Sequence, residues 1–408
     1  MLYTRDSSDM VSNTFAPKVS VIIAMHNAEP YIEQCINSIS LQTLTEIEII
    51  CIDDDSSDGT VNIVNQLMSN DKRIQLIRLK NNIGAGGARN VGLSIAKGKY
   101  LSFLDADDIF HCNMLKHAYE KSFKHDLDVV VFKSSGFNHL TGEYINMDYS
   151  IRHDLLPESD VFSSDDVVKD FFHLYVWWAW DKLFKREHII KQNIRFQEIR
   201  TTNDLLFTVS AIITAKKISC IDEILVRQRQ KNPDSLSNTR NLSYNCCLIA
   251  LREVQKFLEI NGLYAKYKDD FLNYAVAFCF WHLTTIQNES FIPLYDDIAN
   301  YFKKQCIDEH CFYYPHLKPF YSEVTTLSAI EYLFRLKDSL NNENINLMRE
   351  VENIKTVIVE KETEITMFET INNRLINDIN ALYSSKSWKI THPLRLLSSH
   401  VKKLLTKI

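Results

Sequence analysis

The chain has no C-x-x-C pair and no regular cysteine framework. Its nine cysteines stand singly, apart from the neighbours Cys246 and Cys247. That pattern argues for a reducing, cytosolic setting over secretion. It also has no run of 18 apolar residues; the nearest candidate, Tyr274 to Ile286, is too short and too polar at its end to span a bilayer. The opening MLYTRDSSDMVSNTFAPK lacks an apolar core and does not read as a signal peptide. A soluble or peripheral chain is expected, which sets aside an enzyme that threads its own polymer through the membrane. An excess of basic residues is missing too: 46 Lys and Arg face 52 Asp and Glu, a net charge of −6, the reverse of a nucleic-acid footprint. What is present is 408 residues, 45% hydrophobic and 11% aromatic, enough for two or three units with a substantial core.

The first hundred residues alternate apolar runs with helical spacing. Val19–Met25, Ile47–Ile52, Ile74–Leu79 and Tyr100–Leu104 read as buried strands, and 27–42, 58–68 and 88–96 as the helices between them. Strands joined through helices imply right-handed crossovers and a mostly parallel sheet. Such sheets bind ligands at the carboxyl ends of their strands, and two acidic clusters lie there: Asp53-Asp54-Asp55 and Asp105-Ala106-Asp107-Asp108. Residues 128–133 read as a further strand, 134–240 as irregular and aromatic-rich, and 241–325 as helical.

Asp105 and Asp107 leave a strand end two residues apart, so both can approach one cation. Mg²⁺ and Mn²⁺ favour one or two carboxylates plus phosphate oxygens. The tetrapeptide alone equally suits a turn or helix cap. Three consecutive carboxylates at 53–55 repel one another unless a cation or donor-rich ligand is near, and one of them can accept the imide N–H of a uracil ring. Asp58 stands where a helix begins, as an N-cap. Asn82–Gly92 (NIGAGGARNVG) invites a dinucleotide reading, but Arg89 occupies the place of its last glycine. An arginine there suits a diphosphate or a carboxylate.

Taken together, VSVIIAMHN, EIICIDDDSSDGT and NIGAGGARNVGLSIAKGKYLSFLDADD resemble the nucleotide-binding half of family 2 glycosyltransferases. The resemblance implies a GT-A fold, a Rossmann-like, mostly parallel α/β sheet flanked by helices. Asp54 would then contact the base, Asp105 the ribose and metal, Asp107 the metal (Mn²⁺ or Mg²⁺), and Arg89 would brace the diphosphate. Ala24, His26 and Asp55 depart from the family's usual Pro, Tyr and Gly. More faintly, Trp180–Phe184 (WDKLF) resembles its W-N-K-L-F segment and Thr202–Phe207 (TNDLLF) its G-E-D-x-x-F segment, with Asn203 replacing Glu. By that likeness Asp204 is the base that deprotonates the acceptor hydroxyl, with inversion. Arg229, on the stretch after Glu223–Val226, is the candidate to close over the diphosphate, and Trp180 to stack on the acceptor; His26, His173 and His188 have no metal-ligand spacing.

From Leu340 the composition turns rich in Asn, Glu and Lys. Leu347, Val351, Ile354, Ile358, Ile365, Phe368, Leu375, Ile379 and Leu382 follow steps of four and three, with Lys361 and Asn372 in the same seam. That pattern suits a coiled-coil homodimer through 340–385, or one amphipathic helix folded onto the body. Residues 386–408 carry six Lys or Arg and no acid among apolar residues and Trp388, which suits an anionic membrane surface or an ordinary capping helix. The stretch SSKSWKITHPLR resembles a tail on some bacterial surface-polysaccharide transferases. That likeness implies a lipid-linked glycan acceptor at the inner membrane face.

The expected organisation is a flexible tail (1–17), a nucleotide-sugar-binding half (18–126), an acceptor-binding and catalytic half (127–240), a helical region (241–339), a coiled-coil-like helix (340–385) and a basic tail (386–408). The expected reaction moves a hexose or N-acetylhexosamine from a UDP-sugar to a hydroxyl of a cell-surface glycan, in the cytoplasm or peripherally at the membrane. A catalytically silent scaffold acting through its coiled coil, and a nucleotidyltransferase, are the alternatives; the latter usually needs a Gly-rich basic loop that 25–29 (MHNAE) lacks.

Overall fold

β-Branched residues dominate the opening strands, and every residue of Ile47–Asp53 is buried, as expected for a strand covered on both faces. The computed structural model describes residues 3–5, 16–232, 235–305, 307 and 311–386. The basic tail, apart from Lys386, lies outside the described residues, as do Pro233 and Asp234.

In chain order the first elements are β1 (Tyr3–Arg5), β2 (Val19–Met25), α1 (Ile32–Ser40), β3 (Ile47–Asp53), α2 (Thr60–Asn70), β4 (Ile74–Leu79), α3 (Gly84–Ile95) and β5 (Tyr100–Asp105). There follow β6 (Ile109–Phe110), α4 (Met114–His125), β7 (Val129–Asn138), β8 (Tyr144–Ile145), β9 (Lys182–Lys185), α5 (Arg186–Lys191), α6 (Leu205–Ile213) and β10 (Ile218–Gln230). The helical region contains α7 (Cys246–Ile260), α8 (Tyr264–Thr285), α9 (Phe291–Phe302) and α10 (Leu317–Thr326), and α11 runs from Ala329 to Ser384.

The strands form one sheet in the order β1-β4-β3-β2-β5-β9-β7-β10-β6, with β8 on β7. The β4-β3-β2-β5 block is parallel throughout, as the alternation implied. Beyond it the sheet is mixed: β9 is antiparallel to both β5 and β7, while β7 and β10 run parallel. The sheet carries flanking helices and a helical region follows it.

Several boundaries differ from the sequence expectation for local reasons. α1 begins at Ile32, not near Asn27, because Asn27 is left-handed at φ 48° and Pro30 follows. Within the segment expected to be a free tail, Tyr3–Arg5 pairs antiparallel with β4 and occupies its edge hydrogen bonds. β10 continues to Gln230, so Arg229 sits on a strand and not on a loop. Register shifts between Ile221 and Val226 bend that strand and re-aim its end.

Two compact units divide the chain, Met1–Ile330 and Glu331–Ile408. The helical region shares the first unit with the sheet. α8, which covers most of the longest apolar stretch, buries Tyr267, Asp270, Phe271, Ala275, Val276 and Cys279 and is a core helix. In the second unit α11 is continuous, and its nine stripe residues from Leu347 to Leu382 are between 49% and 70% exposed.

Candidate active site

The site forms at the carboxyl ends of β2, β3 and β5, where the chain leaves the sheet. The three aspartates at the end of β3 avoid one another by taking different surroundings. Asp53 is fully buried with Arg78 Nε 3.6 Å away, and Asp55 is exposed in a left-handed conformation at φ 63°. Asp54 is 3% exposed and its Oδ1 accepts the Ile83 N–H at 2.7 Å. Burial raises its carboxyl above the usual range, while the N–H groups of Ile83 and Gly84 pull the other way. Asp54 thus ties the β3 end to the loop entering α3. Asp58 closes the start of α2: Oδ1 accepts from the Thr60 N–H and Oδ2 from the Glu29 N–H, although the cap position itself is Gly59.

α3 delivers Arg89 into the centre. Its Nη2 donates to Asp105 Oδ1 at 2.5 Å and its Nη1 to Asn203 Oδ1 at 2.6 Å, with the guanidinium 5.4 Å from the Phe196 ring centroid. Arg89 is only 7% exposed. Through these two contacts Arg89 joins the β5 end to the segment before α6. That junction depends on Gly86, where a Cβ would lie 1.9 Å from the Gln197 carbonyl oxygen. Asn90 and Phe196 exchange two further hydrogen bonds across the same contact, each 2.9 Å.

Asp204 follows Asn203 at the N-cap of α6, half-buried and with no side-chain cap hydrogen bond. Burial pushes its carboxyl up to about 6; Arg89 draws it down and Asp105 adds to the rise. A carboxylate held there in a hydrogen-bond-poor setting can take a proton near neutral pH.

The other half of the site forms around the β5 turn. Asp107 is half-buried and its carboxyl is pushed up to about 6 by burial and by Asp105. Asp108 is buried, its Oδ1 accepts the Arg229 N–H at 2.8 Å, and burial raises its carboxyl further. Arg229 reaches across from β10. Its Nε donates to the Asp107 carbonyl at 2.9 Å, its Nη2 to Gln34 Oε1 at 2.9 Å, and its guanidinium lies 4.7 Å from both Tyr31 and Phe137. It sits beside the acidic turn, on the strand.

No group of three or more His, Cys, Asp or Glu side chains placed for a metal occurs among the described residues. Asp105 and Asp107 nevertheless suit an ion that takes one or two carboxylates and fills its shell with phosphate oxygens. Their mutual repulsion, which contributes to the raised Asp107 carboxyl, is what a cation would relieve.

Trp180 is 3% exposed and stacks on Trp178, ring centroids 4.7 Å apart. The ring packs in the core, and half-buried Trp178 is the more accessible member of the pair. Sequence reasoning passed over Lys182, fully buried, whose Nζ donates to Asp181 Oδ1 (2.6 Å) and to the Val176 and Trp178 carbonyls (2.9 and 2.8 Å). A charge inside an apolar strand was the available signal. Tyr274 on α8 was also missed. Its phenol is raised by burial and by the charge of Asp204.

Residues 20–196 match the model of Glycosyl transferase family 2. The Uncharacterized glycosyltransferase EpsJ of Bacillus subtilis is 32% identical over 230 residues, covering 54% of this chain and 63% of that protein. The Poly(ribitol-phosphate) beta-glucosyltransferase of Bacillus spizizenii is 33% identical over 206 residues, 50% of this chain and 30% of that protein. In neither does the match reach two thirds of the relative's own length. Crystal structures of S. aureus TarS 1-349 in complex with UDP and with UDP-GlcNAc share the fold, with TM-scores of 0.59 and 0.58. Each is 22% identical and covers 77% of this chain and 89% of that one.

Proposed function

Because residues 20–196 form a domain of family 2 glycosyltransferases, we propose that the chain transfers a hexose or N-acetylhexosamine from a UDP-sugar to a hydroxyl of a cell-surface glycan, with inversion. The observation that carries the reading is Asp204. It is a half-buried carboxylate with no side-chain cap hydrogen bond and a proton affinity near neutrality, and its neighbour Asn203 is held through Arg89 to Asp105.

In this reading Asp54 lies at the base end, Asp105 beside the ribose, and Arg229 beside the diphosphate. Asp204 accepts the proton of the acceptor hydroxyl as it attacks the anomeric carbon. The UDP and UDP-GlcNAc complexes of a structural neighbour support a uridine donor. Asp107, with Asp105, would hold Mn²⁺ or Mg²⁺, which supplies charge neutralisation for the departing diphosphate. Arg89 orients Asp105 and Asn203 and so fixes the distance between donor and base.

Two further parts of the proposal concern partners. α11 carries β-branched residues at alternate seam positions (Val351, Ile358, Ile365, Ile379) with Asn372 among them, and Leu347, Leu375 and Leu382 at the others together with Ile354, Lys361 and Phe368. That choice favours a parallel two-stranded coiled coil, so a second copy of the chain is the expected partner. No helix among the described residues is long and apolar enough to cross a membrane. The basic tail is the proposed contact for a peripheral position at the inner membrane face, where a lipid-linked acceptor would be met.

The test is transfer from a panel of UDP-sugars with Mn²⁺, comparing the wild type with Asp204→Asn. Sugar transfer lost in the variant, with UDP binding kept, is the expected result. Absence of UDP binding in the wild type would overturn the donor assignment.

A further inference from the structure

Arg240 lies half-buried on the turn after β10, with its guanidinium 4.2 Å from the Trp281 ring centroid. Its Nε donates to the Ser237 carbonyl at 2.8 Å and its Nη2 to Thr285 Oγ1 at 3.1 Å, while Nη1 stands 3.5 Å from His282 Nδ1. No carboxylate among the described residues is paired with it. Burial, and secondarily Arg240 itself, hold the His282 imidazole down to about 3, so this histidine adds no countercharge. A cation drawn partly out of water without a counterion is costly, and an arriving anion would relieve that cost.

A ladder of rings runs along α8 from this arginine. On α8, Tyr274 stacks on Phe278 at 5.3 Å, Phe278 meets His282 at 4.5 Å, and Trp281 meets His282 at 4.8 Å. Tyr274, Phe278 and Trp281 follow steps of four and three and share one helix face. Trp281 is 50% exposed, and the other two are half-buried. At the inner end Tyr274 feels the charge of Asp204. At the outer end the turn bearing Arg240 is pinned to the chain just before Asp204. Arg200 donates to the Thr239 carbonyl and Oγ1, each at 2.8 Å, and Thr201 Oγ1 lies 3.2 Å from Ser243 Oγ. Seven residues along a helix span about 10 Å, a length that a short stretch of acceptor chain can bridge.

We propose that Tyr274, Phe278, Trp281 and Arg240 form an acceptor-binding face that takes a chain bearing an anionic group, phosphodiester or carboxylate, beyond its reacting hydroxyl. The rings offer apolar faces to the C–H surface of a sugar or polyol, and the guanidinium takes the anion. This inference rests on the reading of Asp204 as the base.

The experiment is calorimetric titration of the full chain with three probes: an oligo(glycerol phosphate), an oligogalacturonate and neutral maltohexaose, with UDP affinity measured in parallel. One anionic probe is expected to bind, and maltohexaose at least about tenfold more weakly. Arg240→Gln and Trp281→Ala are each expected to weaken the anionic probe about tenfold or more, and Arg240→Lys to retain most of the affinity. Unchanged UDP affinity in these variants reports that they fold. The proposal is overturned if neither anionic probe binds, if maltohexaose binds as tightly, or if both substitutions leave the anionic probe unaffected. A wild type that fails to bind UDP while keeping Arg240-dependent probe binding would sink the donor assignment and leave this face standing.

Discussion

Asp204→Asn separates catalysis from stability, because the same burial that makes Asp204 a base makes its charge unfavourable to the fold. Its carboxyl sits at about 6, against an ordinary 3.8, with burial the first cause. A group whose proton affinity is raised on folding stabilises the protein only while protonated. That contribution is fully present below about 3.8 and lost as pH rises through about 6. At pH 7.5 the wild type therefore carries a penalty on the order of 3 kcal/mol as an upper bound, since the side chain keeps some contact with solvent. The neutral isostere removes it. Asp204→Asn is thus expected to melt at a higher temperature than the wild type at pH 7.5, and the gap should close towards pH 4. Turnover moves the other way, falling about 10²- to 10⁴-fold with loss of the base. The wild-type rate should drop about tenfold per pH unit below about 6 and level off above it, since only the ionised carboxylate accepts a proton. Scanning calorimetry at the two pH values and initial rates from pH 5 to 8 are the assays. A variant less stable than the wild type at pH 7.5, or one with near wild-type turnover, refutes the reasoning.

Three further outcomes follow from the same contacts. Lys182→Met leaves the buried Asp181 carboxylate and two carbonyls without their donor and should cost about 3–5 kcal/mol in chemical denaturation. The double variant with Asp181→Leu should recover much of that, because the uncompensated charge is gone. Gly86→Ala drives a methyl into the Gln197 carbonyl and should cost about 1–3 kcal/mol while displacing Asn203 and Asp204, so transfer should fall further than UDP affinity, read by rates and calorimetry. Removing divalent metal with a chelator should weaken UDP binding, with Mn²⁺ restoring it in the wild type but poorly in Asp107→Asn; metal-independent UDP affinity would count against the carboxylate pair.

The sequence by itself determined the parallel half of the sheet, because each strand there is a short apolar run and local patterning reports burial directly. It also located the strand-end acidic clusters, since the carboxyl ends of β3 and β5 follow from the strands. It could not resolve how Asp53, Asp54 and Asp55 share their repulsion, which depends on Arg78 and the N–H of Ile83 arriving from elsewhere in the chain. Arg89 was visible as a functional cation, but its partner Asn203 lies 114 residues away, and local sequence could not show that contact. Trp180 and Trp178 are indistinguishable by type, and their exposure is set by packing, so tertiary structure alone chose between them. Arg240 shares a face with α8 because it docks on Trp281 and Thr285, while the turn before it is pinned to Arg200. Residues 241–325 read as helical in the sequence, but that reading carried no information about where α8 would pack.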